Sequence, residues 1–307
     1  MVPCILIAGH SLFLGPQTTI ELSSMLDQTA LTDLVRNALA EDIGSGDHST
    51  MACIPPAARG RAQLRVKEQG LLAGMEVAEV IFRYLDKFTV FTPFKKDGDP
   101  MQPGETAFEV EAAVHTLLMA ERLVLNCMQR MSGIATLTHQ YVQKLKGYRT
   151  RVLDTRKTTP NFRLLEKEAV RIGGGVNHRM GLYDMIMLKD NHIDFAGGIT
   201  AAVTKTRQYL QERGLALQIE VETRSLDDVR EVLAVGGIHR IMLDNFSPEQ
   251  LPAALDLING RYETEASGGI TLDNVEAYAR TGVDFVSVGA VIHHAVSLDL
   301  SLKAIEK

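Results

Sequence analysis

The chain has 307 residues, 45% hydrophobic and 23% charged, with a formal net charge of −6. Those totals suit a globular enzyme of one large or two medium domains, and the acidic balance argues against nucleic acid as a partner. No window reaches the run of about 20 apolar residues that a membrane helix needs, and Cys4, Cys53 and Cys127 lie far apart with no CxxC, which suits reduced thiols in a cytoplasm.

In chain order, residues 1–20 read as an N-terminal extension. Residues 2–14 are apolar, but Gly9 and His10 interrupt them and no basic start precedes them, so the stretch lacks the form of a signal peptide. Residues 21–46 carry leucines at helical spacing and stop at Gly44. GRAQLRVKE (60–68) alternates with the two-residue period of a strand, and PGETAFEVEAAV (103–114) does so after a Pro/Gly turn. MEVAEVIFRYLD (75–86), between them, has a helical period. Residues 21–128 therefore predict a mixed α+β domain, whose last segment opens a long helix over 115–145.

From residue 150 short apolar runs alternate with helical patterns. The runs are RVLDT (151–155), MIMLK (185–189), LQIEVE (217–222), RIMLD (240–244), RYETEASGG (261–269) and DFVSVGA (284–290). Their ends at Glu222, Asp244, Ser267 and Gly289 fall 22, 23 and 22 residues apart, the period of a βα unit with a buried parallel sheet. The 33 residues from Lys189 to Glu222 leave room for another unit or a longer crossover. Ser225 and Ser247-Pro248 have the spacing of helix caps, Pro248 taking the first helical position, and Thr159-Pro160 opens a helix that Gly173-Gly174-Gly175 ends. No GxGxxG follows the first run, so an α/β barrel over 129–292 is favoured over a dinucleotide-binding sheet.

Barrels carry chemistry at the C-terminal ends of their strands. Here those ends offer Arg156 and Lys157, then Lys189, then Glu222, then Asp244, then Ser267-Gly268-Gly269 and Ser287-Val288-Gly289-Ala290. Glycine turns after two successive strands suit phosphate held by backbone N–H groups. Either turn alone would be an ordinary tight turn. The two carboxylates suit Mg²⁺ or a general base, or else they satisfy nearby cations. Residues 151–192 hold eight Lys/Arg against five Asp/Glu in an acidic chain. Lys167 and Arg171 sit among glutamates and read as a solvated helix face. Arg156, Lys157, Arg179 and Lys189 lie at strand ends or in turns, and buried cations without carboxylates need an anionic ligand. Arg122, among apolar residues, reads by spacing alone as a partner of Glu121 or a snorkelling side chain. HExxH, paired Cys/His metal spacing, GxSxG and the P-loop are all absent.

At these residues the chain resembles the quinolinate phosphoribosyltransferases. The resemblance rests on AERLVLN (120–126), SGIAT (132–136), DTRKTTPNFRLLEKEAVRIGGGVNHR (154–179), MLKDNHI (187–193), IEVET (219–223), MLDNF (242–246), EASGGITLDN (265–274) and SVGA (287–290). It implies an N-terminal α+β open-sandwich domain, an incomplete TIM-like α/β barrel, and a C-terminal helix over 293–307 that returns to the first domain. It implies a homodimer or hexamer, with neither nucleic acid nor membrane as partner. Arg156, His178, Arg179 and Lys189 would bind quinolinate, with Arg122 reaching in from the neighbouring subunit. Lys157, Thr158, Ser267, Gly268, Gly269, Ser287, Gly289 and Ala290 would hold phosphoribosyl diphosphate. Glu222 and Asp244 would face the ribose and Mg²⁺, directly or through water, and with Lys157 form the catalytic set. The rivals are a related phosphoribosyltransferase acting on another substrate, such as a monocarboxylate needing fewer cations, and a non-catalytic barrel that binds a phosphorylated metabolite and has no need of the Glu222/Asp244 pair.

Overall fold

The computed structural model describes residues 26–305; the extension expected over 1–20, Cys4 and the start of the first predicted helix lie outside them. Helix Gln28–Ile43 begins where the Asp27 carboxylate accepts the N–H groups of Thr29 and Ala30, and it ends at Gly44 with φ 53°. The first domain is built on strands β1 (Arg59–Val66), β2 (Gly70–Leu71), β3 (Val90–Pro93), β4 (Pro100–Met101) and β5 (Thr106–Ala113). β5 lies between β1 and β3, all antiparallel, while β2 and β4 form a separate pair. Helix Met75–Leu85 buries Val77, Ala78, Ile81 and Phe82, and Phe82 meets Phe108 of β5 edge to face at 6.2 Å between centroids.

Helix Val114–Lys144 leaves β5 directly and runs 31 residues, packing on the first sheet and then on the second domain. Gly133 in its middle has a steric reason. A Cβ there would stand 2.0 Å from the Val296 carbonyl oxygen, so the returning chain crosses at backbone contact.

The second domain holds β6 (Arg151–Leu153), β7 (Ile186–Leu188), β8 (Ile219–Thr223), β9 (Arg240–Asp244), β10 (Glu263–Ser267) and β11 (Phe285–Ser287) in one parallel sheet of order β6-β11-β10-β9-β8-β7. The first and last strands pair, so the sheet curls into a ring left open between β6 and β7. A single bridge from Leu153 to Val176 lies along the free edge of β6. This is the incomplete barrel. Between Lys189 and Glu222 helices Asp190–Ala196 and Ile199–Arg213 form a longer crossover with no further strand.

Three local expectations are corrected. The C-terminal segment does return to the first domain, but as strand β12 (Leu300–Ala304), antiparallel to β1. Its LSLKA alternates, with Leu300 and Leu302 buried, and it takes up the edge that β1 would otherwise leave unpaired. Pro248 precedes its helix instead of opening it. The 247–250 segment is a turn, and the helix runs Leu251–Ile258. Helix Arg163–Ile172 likewise starts three residues past Pro160, with Asn161 at φ 61° in the intervening turn.

Candidate active site

The C-terminal mouth of the barrel encloses a cavity of about 880 Å³. It brings together Arg156, Lys157, His178, Arg179, Lys189, Glu222, Asp244, Ser267, Gly268, Gly269, Ser287, Gly289 and Ala290, which the sequence spreads over more than 130 positions. Strand period explains much of this. Glu220 and Glu222 share one face of β8, as do Met242 and Asp244 on β9 and Glu265 and Ser267 on β10, so alternate residues line the ring interior in layers. The upper layer meets the cavity and the lower one floors it. A second cleft of about 900 Å³ shares Asp190, Glu222, Asp244 and Asn245 with the first and continues outward past Arg224 and Arg230.

Two expected residues lie elsewhere. Thr158 does not line the cavity; its hydroxyl accepts the Arg163 Nε–H at 3.0 Å, and Arg163 also donates to the Met180 carbonyl. Arg122 is exposed on the long helix, outside its own chain's cavity, and among the described residues it makes no ion pair with Glu121 or any other carboxylate.

The cations divide by partnership. Arg130 pairs with buried Glu166, Arg171 with Glu168, and Arg240 with Glu263 and Glu265. Lys167 and Arg171 do not form a solvated face. Lys167 is wholly buried, in an ion pair with Asp154, and donates to the His178 carbonyl at 2.9 Å. Helix Arg163–Ile172 lies against the long helix, which its Glu166 meets through Arg130, while its Lys167 reaches Asp154 just past the end of β6. Among the described residues Arg156, Lys157, Arg179 and Lys189 have no carboxylate partner. The Arg156 Nε–H is buried with no acceptor. Burial, and Arg156 beside it, lower the pKa of Arg179. Unpaired cations crowded at one face of a cavity are set for an anion.

Opposite them, burial and the charge of Asp244 raise the Glu222 pKa, although the Asp190 N–H hydrogen-bonds it at 3.3 Å. The two carboxylates lie near enough to feel one another, and carboxylate oxygens are the donors that a hard cation such as Mg²⁺ takes.

The glycine turns are close-fitting. Gly268 has φ +96°, and a Cβ on it would lie 2.2 Å from Asn245 Oδ1; a Cβ on Gly289 would meet His293 Nε2 at 2.9 Å and Lys157 Cδ at 3.2 Å. Both glycines line the cavity, and a side chain on either would displace a neighbour that lines it too, so only glycine lets a phosphate approach the backbone there.

The cavity also holds residues that strand ends alone did not disclose. His293 and His294 lie at its rim, their rings 4.4 Å apart; burial, His294 and Lys157 together lower the His293 pKa. Their only sequence signal is the HH pair just past SVGA. On the floor, His178 Nε2 is 2.9 Å from Glu220 and 3.4 Å from Glu265, and Arg240 reaches Glu265 at 3.1 Å while stacking on Phe285 at 4.3 Å. Burial disfavours charge on the ring, but the two glutamates outweigh it and push its pKa up to about 9. Burial and the neighbouring Glu265 push Glu220 up to about 7. The ligand atoms of His178, Glu220 and Glu265 lie within 4.8 Å of one another, but the Arg240 guanidinium and the ring N–H already supply the positive partners a metal would provide. The signal for Glu220 and Glu265 was a carboxylate two residues before Glu222 and before Ser267, on the same strand face.

A parallel barrel with phosphate-type turns on its last two strands, a paired carboxylate and a wall of unpartnered cations defines a phosphoribosyl-transfer class of site. The family models "Quinolinate phosphoribosyl transferase, N-terminal domain" and "C-terminal domain" match residues 47–132 and 134–303. A chloroplastic nicotinate-nucleotide pyrophosphorylase [carboxylating] of Arabidopsis thaliana is 42% identical, over 94% of this chain and 91% of its own. A mitochondrial quinolinate phosphoribosyltransferase [decarboxylating] 2b of Nicotiana tabacum is 43% identical, over 89% and 82%. The crystal structure of NadC from Streptococcus pyogenes superposes with a TM-score of 0.85 at 41% identity, over 92% of this chain and all of that one. The chain belongs to the quinolinate phosphoribosyltransferase family.

Proposed function

We propose that this chain is a decarboxylating quinolinate phosphoribosyltransferase of NAD biosynthesis, converting quinolinate and phosphoribosyl diphosphate to nicotinate mononucleotide, CO₂ and diphosphate. The observation that carries this reading is the set Arg156, Arg179 and Lys189, without carboxylate partners, in the same cavity as Lys157 and the two glycine turns. A dicarboxylate needs that many cations. A binding barrel without catalysis would have no use for Glu222 and Asp244 side by side.

Arg156, Arg179 and Lys189 bind and orient the dianion, with Arg122 supplied by a second subunit of a homodimer or hexamer. Lys157 and the Ser267–Gly269 and Ser287–Ala290 segments hold the phosphates. As diphosphate leaves the anomeric carbon the sugar becomes oxocarbenium-like; Glu222 and Asp244 steady that charge and Lys157 offsets charge on the leaving group. Mg²⁺ held by Glu222 and Asp244, directly or through water, would supply further neutralisation of the diphosphate. The pyridine nitrogen bonds to the sugar; CO₂ then departs and leaves the electron pair of the C2–carboxylate bond on C2, where the adjacent positive nitrogen stabilises it until C2 takes up a proton that comes from solvent. Fixed cations and exclusion of water by the enclosing mouth favour that step. Described residues include no helix long and apolar enough to cross a membrane. The plant relatives are named for the chloroplast and the mitochondrion, so a cytoplasmic location rests on the cysteine pattern alone.

Titration calorimetry tests the site. Lys189→Ala should weaken quinolinate binding by about 1.5–3 kcal/mol, the worth of a charge-assisted hydrogen bond, and leave phosphoribosyl diphosphate binding nearly unchanged. Equal losses for both ligands would sink the assignment.

A further inference from the structure

On the phosphate side of the cavity two segments face each other. One runs from Lys157 to Thr159, past the end of β6. The other runs from Gly289 into helix Ala290–His293, past the end of β11. They approach at the cavity surface, where a Cβ on Gly289 would stand 3.2 Å from Lys157 Cδ. Beneath that approach lies a second connection, which no step of the chemistry uses. Glu166, wholly buried on helix Arg163–Ile172, accepts the Thr159 N–H on Oε2 at 2.8 Å and the Thr159 hydroxyl on Oε1 at 3.0 Å. Arg130 of the long helix donates to the same Oε1, through Nε at 3.1 Å and Nη2 at 2.9 Å. The far edge of the guanidinium reaches the other segment, Nη2 donating to the Ile292 carbonyl at 2.8 Å and Nη1 to the Ala295 carbonyl at 2.7 Å.

We infer that Glu166 and Arg130 are positioning residues for phosphoribosyl diphosphate: they bridge Thr159 to Ile292 and Ala295 and so set the spacing between Lys157 and the Gly289 turn. This rests on the function proposed above. An ion pair that only fastened two helices would join side chain to side chain, and apolar residues of the same volume would serve without burying charge. This one continues past both helices and ends on the backbone of each phosphate-side segment. A guanidinium is planar and rigid, so a carboxylate at one edge and carbonyls at the other stay a constant distance apart. Lys167, the next residue on the same helix, instead holds Asp154 and the His178 carbonyl, beside Arg179 on the dicarboxylate side. Adjacent residues of one helix thus brace the places of two different ligands, and loss of the Glu166 bridge should be felt by one of them only.

Three variants test this. Thr159→Val keeps the shape of an exposed residue and loses the hydroxyl bond to Glu166, whereas Thr159→Ser keeps that bond. Glu166→Gln keeps shape and one acceptor but sets an amide NH₂ against either the Thr159 N–H or Arg130. Binding of phosphoribosyl diphosphate and of quinolinate is measured separately by titration calorimetry, then KM and kcat with the other substrate saturating. Kd for phosphoribosyl diphosphate should rise about threefold in Thr159→Val and about tenfold in Glu166→Gln, the range expected for losing one or two hydrogen bonds' worth of orientation. Thr159→Ser should match the unsubstituted protein. Kd for quinolinate should stay put throughout, and kcat should change less than KM for phosphoribosyl diphosphate.

An unmoved phosphoribosyl diphosphate constant in Thr159→Val, a serine variant no better than the valine, or equal weakening of both ligands would overturn the inference. Should Glu166→Gln fail to fold, the valine and serine variants decide. Failure of the functional reading is recognised separately: the unsubstituted protein would bind phosphoribosyl diphosphate and release no CO₂, and the calorimetry would still read the bridge.

Discussion

Replacing Lys167 by methionine keeps the length of the side chain and removes its charge. The Nζ is wholly buried and binds Asp154 and the His178 carbonyl, so nothing in solvent can replace it. Removing one partner of a buried pair costs about 3–5 kcal/mol. For a domain the size of the barrel, about 2–4 °C of Tm per kcal/mol makes a fall of about 6–20 °C. The carboxyl left behind limits the loss by taking up a proton. Burial already pushes Asp154 to about 6 even with Lys167 beside it, and without Lys167 its pKa rises further. A carboxyl with a raised folded pKa contributes stability at low pH that is lost as pH rises through that value. The deficit of Lys167→Met should therefore open above about pH 6 and be larger at pH 8 than at pH 5.5. Adding Asp154→Asn removes both charges while leaving an acceptor for the His178 N–H, and should restore at least half of the lost stability. Urea and thermal unfolding of the three proteins at both pH values give the answer. A single variant within about 1 kcal/mol of the parent, or a double variant as unstable as the sum of its parts, would refute the buried-pair account.

Two further outcomes follow from the cavity. Gly289→Ala places a methyl against His293 and Lys157 without a forbidden φ, so the protein should fold and KM for phosphoribosyl diphosphate should rise about tenfold; steady-state kinetics with quinolinate saturating would show otherwise if the constant does not move. Arg122→Ala and Lys189→Ala should each be nearly inactive alone. Mixed after dissociation, about half the dimers pair unlike subunits and one site in each is free of both lesions, so about a quarter of full activity should return. Subunit exchange confirmed by native mass spectrometry with no recovery would mean that Arg122 serves its own subunit or only the fold.

The barrel was legible because its strands repeat at 22 and 23 residues and end in chemistry-bearing side chains. Strand-end reading found Lys189, Glu222, Asp244 and both glycine turns in one cavity. It could not see the layer beneath, because Glu220, Glu265 and Arg240 act from within or at the start of their strands, below the ends that carry the upper layer. Lys167 misled for a related reason: among glutamates on an amphipathic helix a lysine reads as exposed, and only the fold reveals that Asp154 waits under it. The C-terminal segment was misjudged because resemblance supplied a helix where the alternation of Leu298, Leu300 and Leu302 already spelled a strand. Arg122 remains the converse case. Among the described residues no carboxylate partners it, and its place in a second subunit's site is part of the proposal.

The most direct test of the function uses quinolinate labelled separately at its two carboxyl carbons, incubated with the protein, phosphoribosyl diphosphate and Mg²⁺. The account predicts that label from the C2 carboxyl appears as CO₂ in step with nicotinate mononucleotide, that label from C3 stays in the nucleotide, and that neither moves without phosphoribosyl diphosphate. Nucleotide formed from nicotinate instead, or binding of both substrates without CO₂, would contradict it.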